Sequence, residues 1–294
     1  MKRWLLGLFC LLLSGAALAA GPDAVRKRVQ ASMLVRGSIT VAPDGSVAGY
    51  VIDQPEKLPL QVRELIGKSI PRWRFDALEV AGKPATMKSD MSFRVVAKPI
   101  DKSDYSIGIA GATFTPEKNT TDKVVTDSPT YKNNPPPPYP QDAYEAGATA
   151  TVYVLAQIDR QGRVENDLAQ QVDLGFVDSD FAMRGWRRMF ALAASRAVKH
   201  WTFNMPTTGR DAMRTYWYGR IPIVFQIPGE HSVTYGHWSA YVPGPVETAA
   251  WLTQLPHLQS NDRLLVGNID ATPPGGSFSL DGNGLHLISK LDGT

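Results

Sequence analysis

Apolar and polar residues alternate from Gly37 to Val41, a pattern typical of a half-buried β-strand. An Asp44-Gly45 pair follows this strand, and a second strand is predicted to run through Ile52. An Asp-Gly pair between two alternating runs is a strong signal for a tight turn. This segment therefore predicts a β-hairpin.

The spacing of apolar residues changes after this hairpin from every second residue to one helical face. Pro59 lies where the first turn of a helix tolerates proline, and Pro71 marks the end of the helix. A closing strand is predicted from Met87 to Val96. The apolar residues at helical spacing are Leu58, Val62, Leu65, Ile66, Ile70 and Trp73.

The second half of the chain repeats this order of elements. A strand from Thr151 to Ile158 leads into an Asp159–Gly162 turn, and a return strand begins at Arg163. A final apolar strand is predicted from Ile221 to Ile227. The helix between them carries an apolar face made of Trp186, Met189, Phe190, Ala193, Ala197 and Trp201. We therefore interpret the two halves of the chain as an internal repeat.

Each helix is followed by the same Trp-x-Phe sequence, which supplies the candidate structural anchors Trp73, Phe75, Trp201 and Phe203. One interpretation is that these aromatic residues line a ligand pocket. Their repeated position at a helix end favours the other interpretation, in which they pack in the core.

The predicted fold class is α+β, with two units that each contain a three-stranded antiparallel sheet and a helix packed on one face. The units are expected at residues 25–98 and 135–228. A polar linker is expected at 99–134, with one short extra strand at 107–114 as an option, and it leads into the proline run 135–138. The tail, 229–294, is expected to be weakly structured and to pack against the second unit.

The N-terminus resembles an export signal. Lys2 and Arg3 precede an apolar core, and small residues up to Ala19 suit a signal peptidase, so cleavage is predicted after Ala19 or Ala20. About 16 residues, from Trp4 to Ala19, are fewer than the roughly 20 that span a bilayer as a helix. We therefore expect residues 1–19 to be a cleavable signal peptide and the protein to reside in the periplasm. An uncleaved anchor in the inner membrane is the alternative.

The amino-acid composition argues against disulfides, thiolate metal sites and one class of partner. Cys10, the single cysteine, lies in the predicted signal peptide, so the mature chain is expected to lack disulfides and thiolate metal sites. Removing Lys2 and Arg3 from the 31 basic residues leaves 29 against 28 acidic ones, a net charge near +1. This balance argues against nucleic acid as a partner.

Candidate catalytic residues, metal ligands and cofactor sites are not predicted. Five histidines have no metal-ligand spacing, and nucleophile elbows or phosphate-binding glycine loops are absent from the sequence. Asp178, Ser179 and Asp180 precede the second helix, where such residues cap an N-terminus. The sequence therefore predicts a binding protein rather than an enzyme.

Several motifs of residues 135–228 occur in the order found in the TonB C-terminal domain family, which this region resembles. They are the opening Pro138-Tyr139-Pro140 with Ala143 and Gly147, the turn Ile158–Val164, the stretch Ala197–Phe203 with Ala194, and the closing Ile221–Phe225. The first unit looks like a degenerate copy that lacks the Tyr-Pro opening.

The resemblance implies that the protein recognises peptides. TonB-like domains bind an extended segment of an outer-membrane transporter, which pairs with the last strand of the domain. By this carry-over, the receiving edge here is Ile223, Val224, Phe225, Gln226 and Ile227. The entry motif, Tyr139 and Pro140, either contacts the partner peptide or fixes the entry of the chain into the domain. Expected partners are peptide or protein segments, such as those of TonB-dependent transporters. Self-association through the same edges is a further option, and contact with a membrane is expected only if the N-terminus is uncleaved.

The sequence also departs from energy-coupling TonB proteins. Its N-terminal apolar segment contains no histidine, and the folded part is expected to begin near Met33 without a long proline-rich rod. We therefore do not expect this chain to transmit force from the inner membrane. An anchored energy transducer and a structural subunit of an envelope assembly are the alternative functions.

Two exposed features have alternative interpretations. Arg184, Arg187, Arg188, Arg196 and Lys199 give the second helix a basic side, for which a solvated face is the default. The alternative is that this basic side contacts acidic peptide, lipid headgroups or lipopolysaccharide phosphate. Tyr216-Trp217-Tyr218 is either a recognition platform or a strand with one buried side.

Overall fold

The computed structural model describes residues 21–77, 79–80, 83–101, 104–116, 129–207, 210–227, 234–248, 251, 285 and 287–291. The fold is of the mixed α+β class with antiparallel sheets, as the sequence predicts. The predicted signal peptide lies outside the described residues. Within these ranges, no helix combines the length and the apolar character that crossing a membrane requires.

The elements follow in chain order. The helices are α1 (Pro22–Arg26), α2 (Leu60–Ser69), α3 (Gln141–Glu145) and α4 (Asp180–Val198). The strands are β1 (Gln30–Val41), β2 (Val47–Ile52), β3 (Glu79–Val80), β4 (Lys83–Pro84), β5 (Met87–Pro99), β6 (Tyr105–Pro116), β7 (Thr130–Asn133), β8 (Ala150–Asp159), β9 (Val164–Leu174), β10 (Thr202–Asn204), β11 (Tyr216–Phe225) and β12 (Ser239–Tyr241). We call residues 30–116 the first unit and residues 129–227 the second unit.

The sheet of the first unit has five strands rather than the expected three. Its order is β12-β1-β5-β6, and β2 also pairs with β1. The predicted hairpin, helix and closing strand are all present, and β5 continues three residues beyond the expected Val96. Helix α2 buries Val62 and Ile66 in the same core as Trp73 and Phe75.

The segment expected to be a polar linker, 99–134, contains two strands among its described residues. Strand β6 lies inside it and pairs with β5, and β7 lies near its end and pairs with β10. The reason for β6 is apolar burial, because Ile109 is fully buried in the core of the first unit and Phe114 is partly buried there. The optional strand at 107–114 thus forms and is longer than expected.

The second unit contains the predicted three-stranded sheet, in the order β11-β8-β9. Helix α4 packs across β8 and β9, and Ser179 caps it by accepting a hydrogen bond from the backbone N–H of Ala182 at 3.3 Å. Every second residue of β8, beginning at Ala150, points into the core below this helix. Cap and strand alternation therefore place the helix as the sequence predicts.

The hairpin turns of the two units have the same geometry. Gly45 and Gly162 both have positive φ, at 80° and 76°. The N–H of Phe75 donates to the carbonyl oxygen of Gly45 at 2.8 Å, and the N–H of Phe203 donates to that of Gly162 at 2.8 Å. The Trp-x-Phe segment of each unit is thus held against its own hairpin turn by the same bond.

Each end of the described chain is buried in the core of the unit that is farther away in the sequence. Val25 of α1 is fully buried in the core of the second unit, although residues 25–98 were expected to form the first. Leu285 and Leu287 of the tail are buried in the core of the first unit. The predicted boundaries fail at both ends because these short apolar segments are buried far from their sequence neighbours.

Residues 239–247 join the two sheets, which corrects the expectation of a weakly structured tail for this part. Strand β12 pairs with the start of β1, and the next residue, Val242, exchanges two backbone hydrogen bonds with Leu174 of β9. Arg187 of α4 donates to the carbonyl oxygens of Val172, Val242 and Pro243. The tail therefore contacts both units, and not only the second.

A buried carboxylate lies at this junction. Asp173 of β9 is 4% exposed and accepts hydrogen bonds from the N–H of Gly244 at 3.0 Å and from Gln171 at 2.8 Å. Burial raises its pKa to about 6, against the lowering effect of these bonds and of Arg94 and Arg187. Its neutral form is thus favoured by folding, and that contribution is lost as the pH rises through about 6.

Candidate strand-docking edge

Strands β5 and β11 are equivalent strands of the two units. Val41 of β1 pairs with Met87 of β5, and Ile158 of β8 pairs with Trp217 of β11, just before equivalent hairpin turns. Both registers run without a shift, so Phe93 of β5 corresponds to Ile223 of β11. The same correspondence matches Ser92 with Pro222 and Arg94 with Val224.

The outer edges of these two strands differ. The edge of β5 is covered by β6, which pairs antiparallel with it from Ser89 to Pro99. Among the described residues, β11 pairs with β8 on one side and with no strand on the other. An edge strand presents backbone N–H and C=O groups that can pair with another chain.

An aromatic side chain anchors β6 in the first unit. The ring of Phe114 lies 5.8 Å from that of Trp73 and 5.0 Å from that of Phe75, both in edge-to-face geometry. Phe114 stands opposite Met91, near the middle of β5. Strand β6 is therefore held by a side chain as well as by its backbone.

In the second unit, another segment supplies this aromatic ring. Tyr131 lies 5.7 Å from Trp201 and 5.4 Å from Phe203, so it takes the place of Phe114. It belongs to β7, which pairs with β10 and not with β11. In the described part of the chain, the aromatic cluster of the second unit is thus completed without a strand on the outer edge of β11.

Pro222 indicates which backbone groups face outward. Proline has no N–H, and within sheets it is found on edge strands with its nitrogen on the unpaired side. Alternate residues of an antiparallel strand direct their backbone groups to the same side, so those of Val224 face outward like those of Pro222. The C-terminal part of the edge thus offers one donor, from Val224, and the carbonyl oxygens of both residues.

The predicted receiving segment is longer than the strand. β11 ends at Phe225, so Gln226 and Ile227 lie beyond it. The physical reason is that β8 begins at Ala150, directly opposite Phe225, and therefore offers no partner to later residues. The candidate edge in the structure is Pro222–Phe225.

Side chains of this edge have a buried and an exposed side. Ile223 and Phe225 are 5% and 3% exposed and point into the core, where Phe225 lies 4.9 Å from Phe190 of α4. Val224 on the opposite face is 38% exposed. The backbone is therefore held firmly from one face, while a small apolar surface remains accessible on the other.

The structure places the predicted entry motif inside the domain. The ring of Tyr139 lies 5.6 Å from Phe225 and 6.1 Å from Phe190, and its hydroxyl donates to the carbonyl oxygen of Ala148. Pro140 precedes α3 as its N-terminal flanking residue. These contacts fit a role in directing the chain into the domain, next to the end of β11.

The four predicted anchors are all buried, as expected for core residues. The indole N–H of Trp201 donates to the carbonyl oxygen of Pro135 at 2.9 Å, which ties the proline run to the second unit. The indole N–H of Trp73 is buried without a hydrogen-bond partner in the described part of the chain. The first unit lacks an equivalent proline run, and this explains the difference.

The tyrosine-tryptophan platform is mostly buried. Trp217 and Tyr218 are 4% and 5% exposed, and Tyr218 stacks on Trp251 of the tail with ring centres 5.9 Å apart. The sequence offers a strand with one buried side as an alternative, but here neighbouring residues on opposite faces of the strand are both buried. Tyr216 remains partly exposed.

Tyr131 stands alone in a polar segment, so the sequence does not single it out, and the role of Phe114 is also not predicted. The alternation from Ile107 to Phe114 is a signal for the latter.

Within the described ranges, His, Cys, Asp and Glu form no group of three that could hold a metal ion. Asp178 accepts a hydrogen bond from the indole N–H of Trp186, and Asp180 pairs with Arg28.

In comparisons with known proteins, no family model, curated protein or solved structure matches this chain.

Proposed function

We propose that the protein is a non-enzymatic, TonB-like binding protein of the periplasm that captures extended peptide or protein segments by β-strand addition. The incoming segment pairs with the outer edge of β11 at Pro222–Phe225. Segments of outer-membrane transporters are the proposed partners, which follows the resemblance of residues 135–228 to the TonB C-terminal domain family.

The observation that carries this proposal is the difference between the outer edges of β5 and β11. In the first unit, β6 occupies the added position as an antiparallel strand, over eleven paired residues of β5. Strand β11 has the same place in its sheet, and in the described structure it has no strand there. The first unit thus supplies a physical precedent for strand addition to this position.

The precedent also indicates the orientation and the chemistry of the ligand. By analogy with β6, the segment runs antiparallel to β11, and its residue opposite Ile223 corresponds to Ala112. An aromatic anchor like Phe114 is not required, because Tyr131 already fills the corresponding place. We therefore expect binding through a few backbone bonds of about 0.5–1.5 kcal/mol each, which gives a weak and reversible complex.

The test is an NMR titration of the chain lacking residues 1–20 with peptides from outer-membrane transporters. The backbone amide of Val224 is expected to shift most, with smaller shifts across β8. Val224→Lys places a charge on the exposed face of the edge, and we expect it to weaken binding at least about fivefold through desolvation of the charge.

Val51→Lys is the matched control, because Val51 is also an exposed strand valine, at 66%, and lies in the first unit. It is expected to leave the dissociation constant unchanged. If the amides of Ile223, Val224 and Phe225 and their neighbours stay unmoved while another surface responds, strand addition at β11 is wrong. Equal weakening by both lysine variants would also contradict the proposal.

A further inference from the structure

The outward face of α4 forms a stripe of cationic and apolar side chains, away from the sheet. Phe181 is 74% exposed and Leu192 is 49% exposed. Arg184, Arg188 and Arg196 are exposed on the same face at helical spacing. We call these five residues the α4 stripe.

The charges of the stripe are not neutralised by neighbouring groups. In the described part of the chain, none of its three arginines has a carboxylate within ion-pair distance. Asp180, the single acidic residue of α4, is paired with Arg28. Lys199 lies on the same face one turn beyond Arg196; its side chain is 63% exposed, but its charge is paired with Asp167 at 3.6 Å.

Arg187 does not belong to this surface, although the sequence places it on the same basic side. It is half-buried and donates to backbone carbonyl groups of β9 and of the tail. The guanidinium of Arg184 lies 5.9 Å from the ring centre of Phe181, so a cation and an aromatic ring are presented together. The exposed face thus combines both kinds of group at its N-terminal end.

The shape of the stripe suits an extended flat partner. At 1.5 Å per residue, the distance along the helix from Phe181 to Lys199 is about 27 Å. Arginine and lysine beside exposed phenylalanine and leucine are the side chains with which a helix lies on a membrane interface. A patch on an acidic protein would explain the cations, but it gives no reason for two projecting apolar side chains a few turns apart.

We propose that the α4 stripe binds the anionic phospholipid surface of a membrane, with the helix lying parallel to that surface. The cations contact headgroup phosphates, and Phe181 and Leu192 enter the headgroup region. Each cation near such a surface strengthens binding by about fivefold. This proposal goes beyond peptide capture and does not depend on it.

The two surfaces are separate. Helix α4 covers β8 and β9, and β11 forms the opposite edge of the sheet. The stripe is on the outside of this layer, so a protein resting on lipid through α4 keeps its β11 edge accessible. Attachment of this kind would bring the edge to the membrane without an N-terminal anchor.

The test is sedimentation of the chain lacking residues 1–20 with vesicles of phosphatidylcholine alone or mixed with phosphatidylglycerol. We expect binding to the mixed vesicles that falls with added salt, and little binding to the neutral ones. The variant R184E/R188E/R196E is expected to lower the partition coefficient more than about 100-fold. The corresponding variant R184Q/R188Q/R196Q, with a smaller loss, tests the same point if the charge reversal impairs folding.

The matched control is R63E/K68E/R72E, which changes the net charge equally and alters exposed residues at the helix of the first unit. It is expected to retain most of the binding. The pair F181A/L192A is expected to weaken binding several-fold, whereas L60A, at an exposed leucine of α2, is not.

Equal losses in both triple charge variants would overturn the proposal, since they would indicate net charge alone. Binding to polyglutamate but not to phosphatidylglycerol vesicles would overturn it in favour of an acidic polypeptide. Val224→Lys is expected to leave vesicle binding unchanged. Failure of peptide capture and failure of lipid binding are therefore distinguishable.

Discussion

The two units of this protein differ most at the outer edge of their last strand. In the first unit, the chain continues from β5 into β6 and covers that edge itself. In the second unit, the described chain leaves β11 with a strand partner on one side. One arrangement of hairpin, helix and closing strand can therefore have a covered or an uncovered outer edge, depending on a segment outside it.

The aromatic clusters show how each outcome is stabilised. Phe114 comes from β6, so completing the Trp73–Phe75 cluster also holds the covering strand in place. Tyr131 comes from β7 and completes the Trp201–Phe203 cluster without involving β11. A core that is already full gives a covering strand no large pocket to fill, and β11 can remain an edge.

The largest effect is expected at the two hairpin glycines. A Cβ atom at Gly45 or Gly162 would lie 2.0 Å from the carbonyl oxygen of Phe75 or Phe203, at a positive φ. Gly45→Ala and Gly162→Ala should each lower the free energy of unfolding by about 3 kcal/mol or more, measured by urea denaturation. Gly185→Ala, in α4 with open space around it, should raise it by about 0.5–1 kcal/mol. If Gly45→Ala leaves the free energy of unfolding unchanged while Gly162→Ala lowers it, the two turns are not equivalent.

The second test removes the two aromatic rings that complete the clusters. Phe114→Ala and Tyr131→Ala should each lower the free energy of unfolding by about 2 kcal/mol, less than for a fully buried ring. Hydrogen exchange should separate them, because loss of Phe114 should speed exchange in β6, and loss of Tyr131 should speed it in β7 and β10. If β6 stays fully protected without Phe114, then its backbone pairing suffices and the anchor argument fails.

A smaller difference is expected between the two tryptophans. Both Trp→Phe changes remove similar volume, but Trp201→Phe also removes the hydrogen bond to Pro135, whereas Trp73 makes no such bond in the described structure. Trp201→Phe should therefore be more destabilising by about 1 kcal/mol. Chemical denaturation of both variants measures this, and equal losses would mean that the proline run contributes no stability through this bond.

The smallest expected effect concerns Pro222, which corresponds to Ser92 of the covered strand. Pro222→Ser restores a backbone N–H on the outer edge of β11, so a docked segment should gain one hydrogen bond. We expect twofold to tenfold tighter peptide binding, equal to about 0.5–1.4 kcal/mol, with little change in stability. Calorimetric titration provides the measurement. Weaker binding in this variant would place the proline nitrogen on the side of β8 instead.

Much of each unit was predictable because its signals are local. The Asp44-Gly45 turn, the helical spacing from Leu58 to Trp73 and the cap at Ser179 each depend on residues within a few turns of one another. The candidate edge was half predictable, since the strand was identified but its end at Phe225 depends on where β8 begins. Phe114 and Tyr131 were not assigned as partners of the Trp-x-Phe segments, because such contacts join distant parts of the chain.

The sequence by itself determined the alternation of strands, the helices with their apolar faces, and the order in which both units repeat them. Only the tertiary structure decided that Val25 completes the second core, that Leu287 completes the first, and that β12 pairs with β1. The physical reason is that hydrogen-bonding pattern and periodicity are properties of neighbouring residues. Which apolar segment fills a given core, and which edge remains open, depends on competition among all segments for burial.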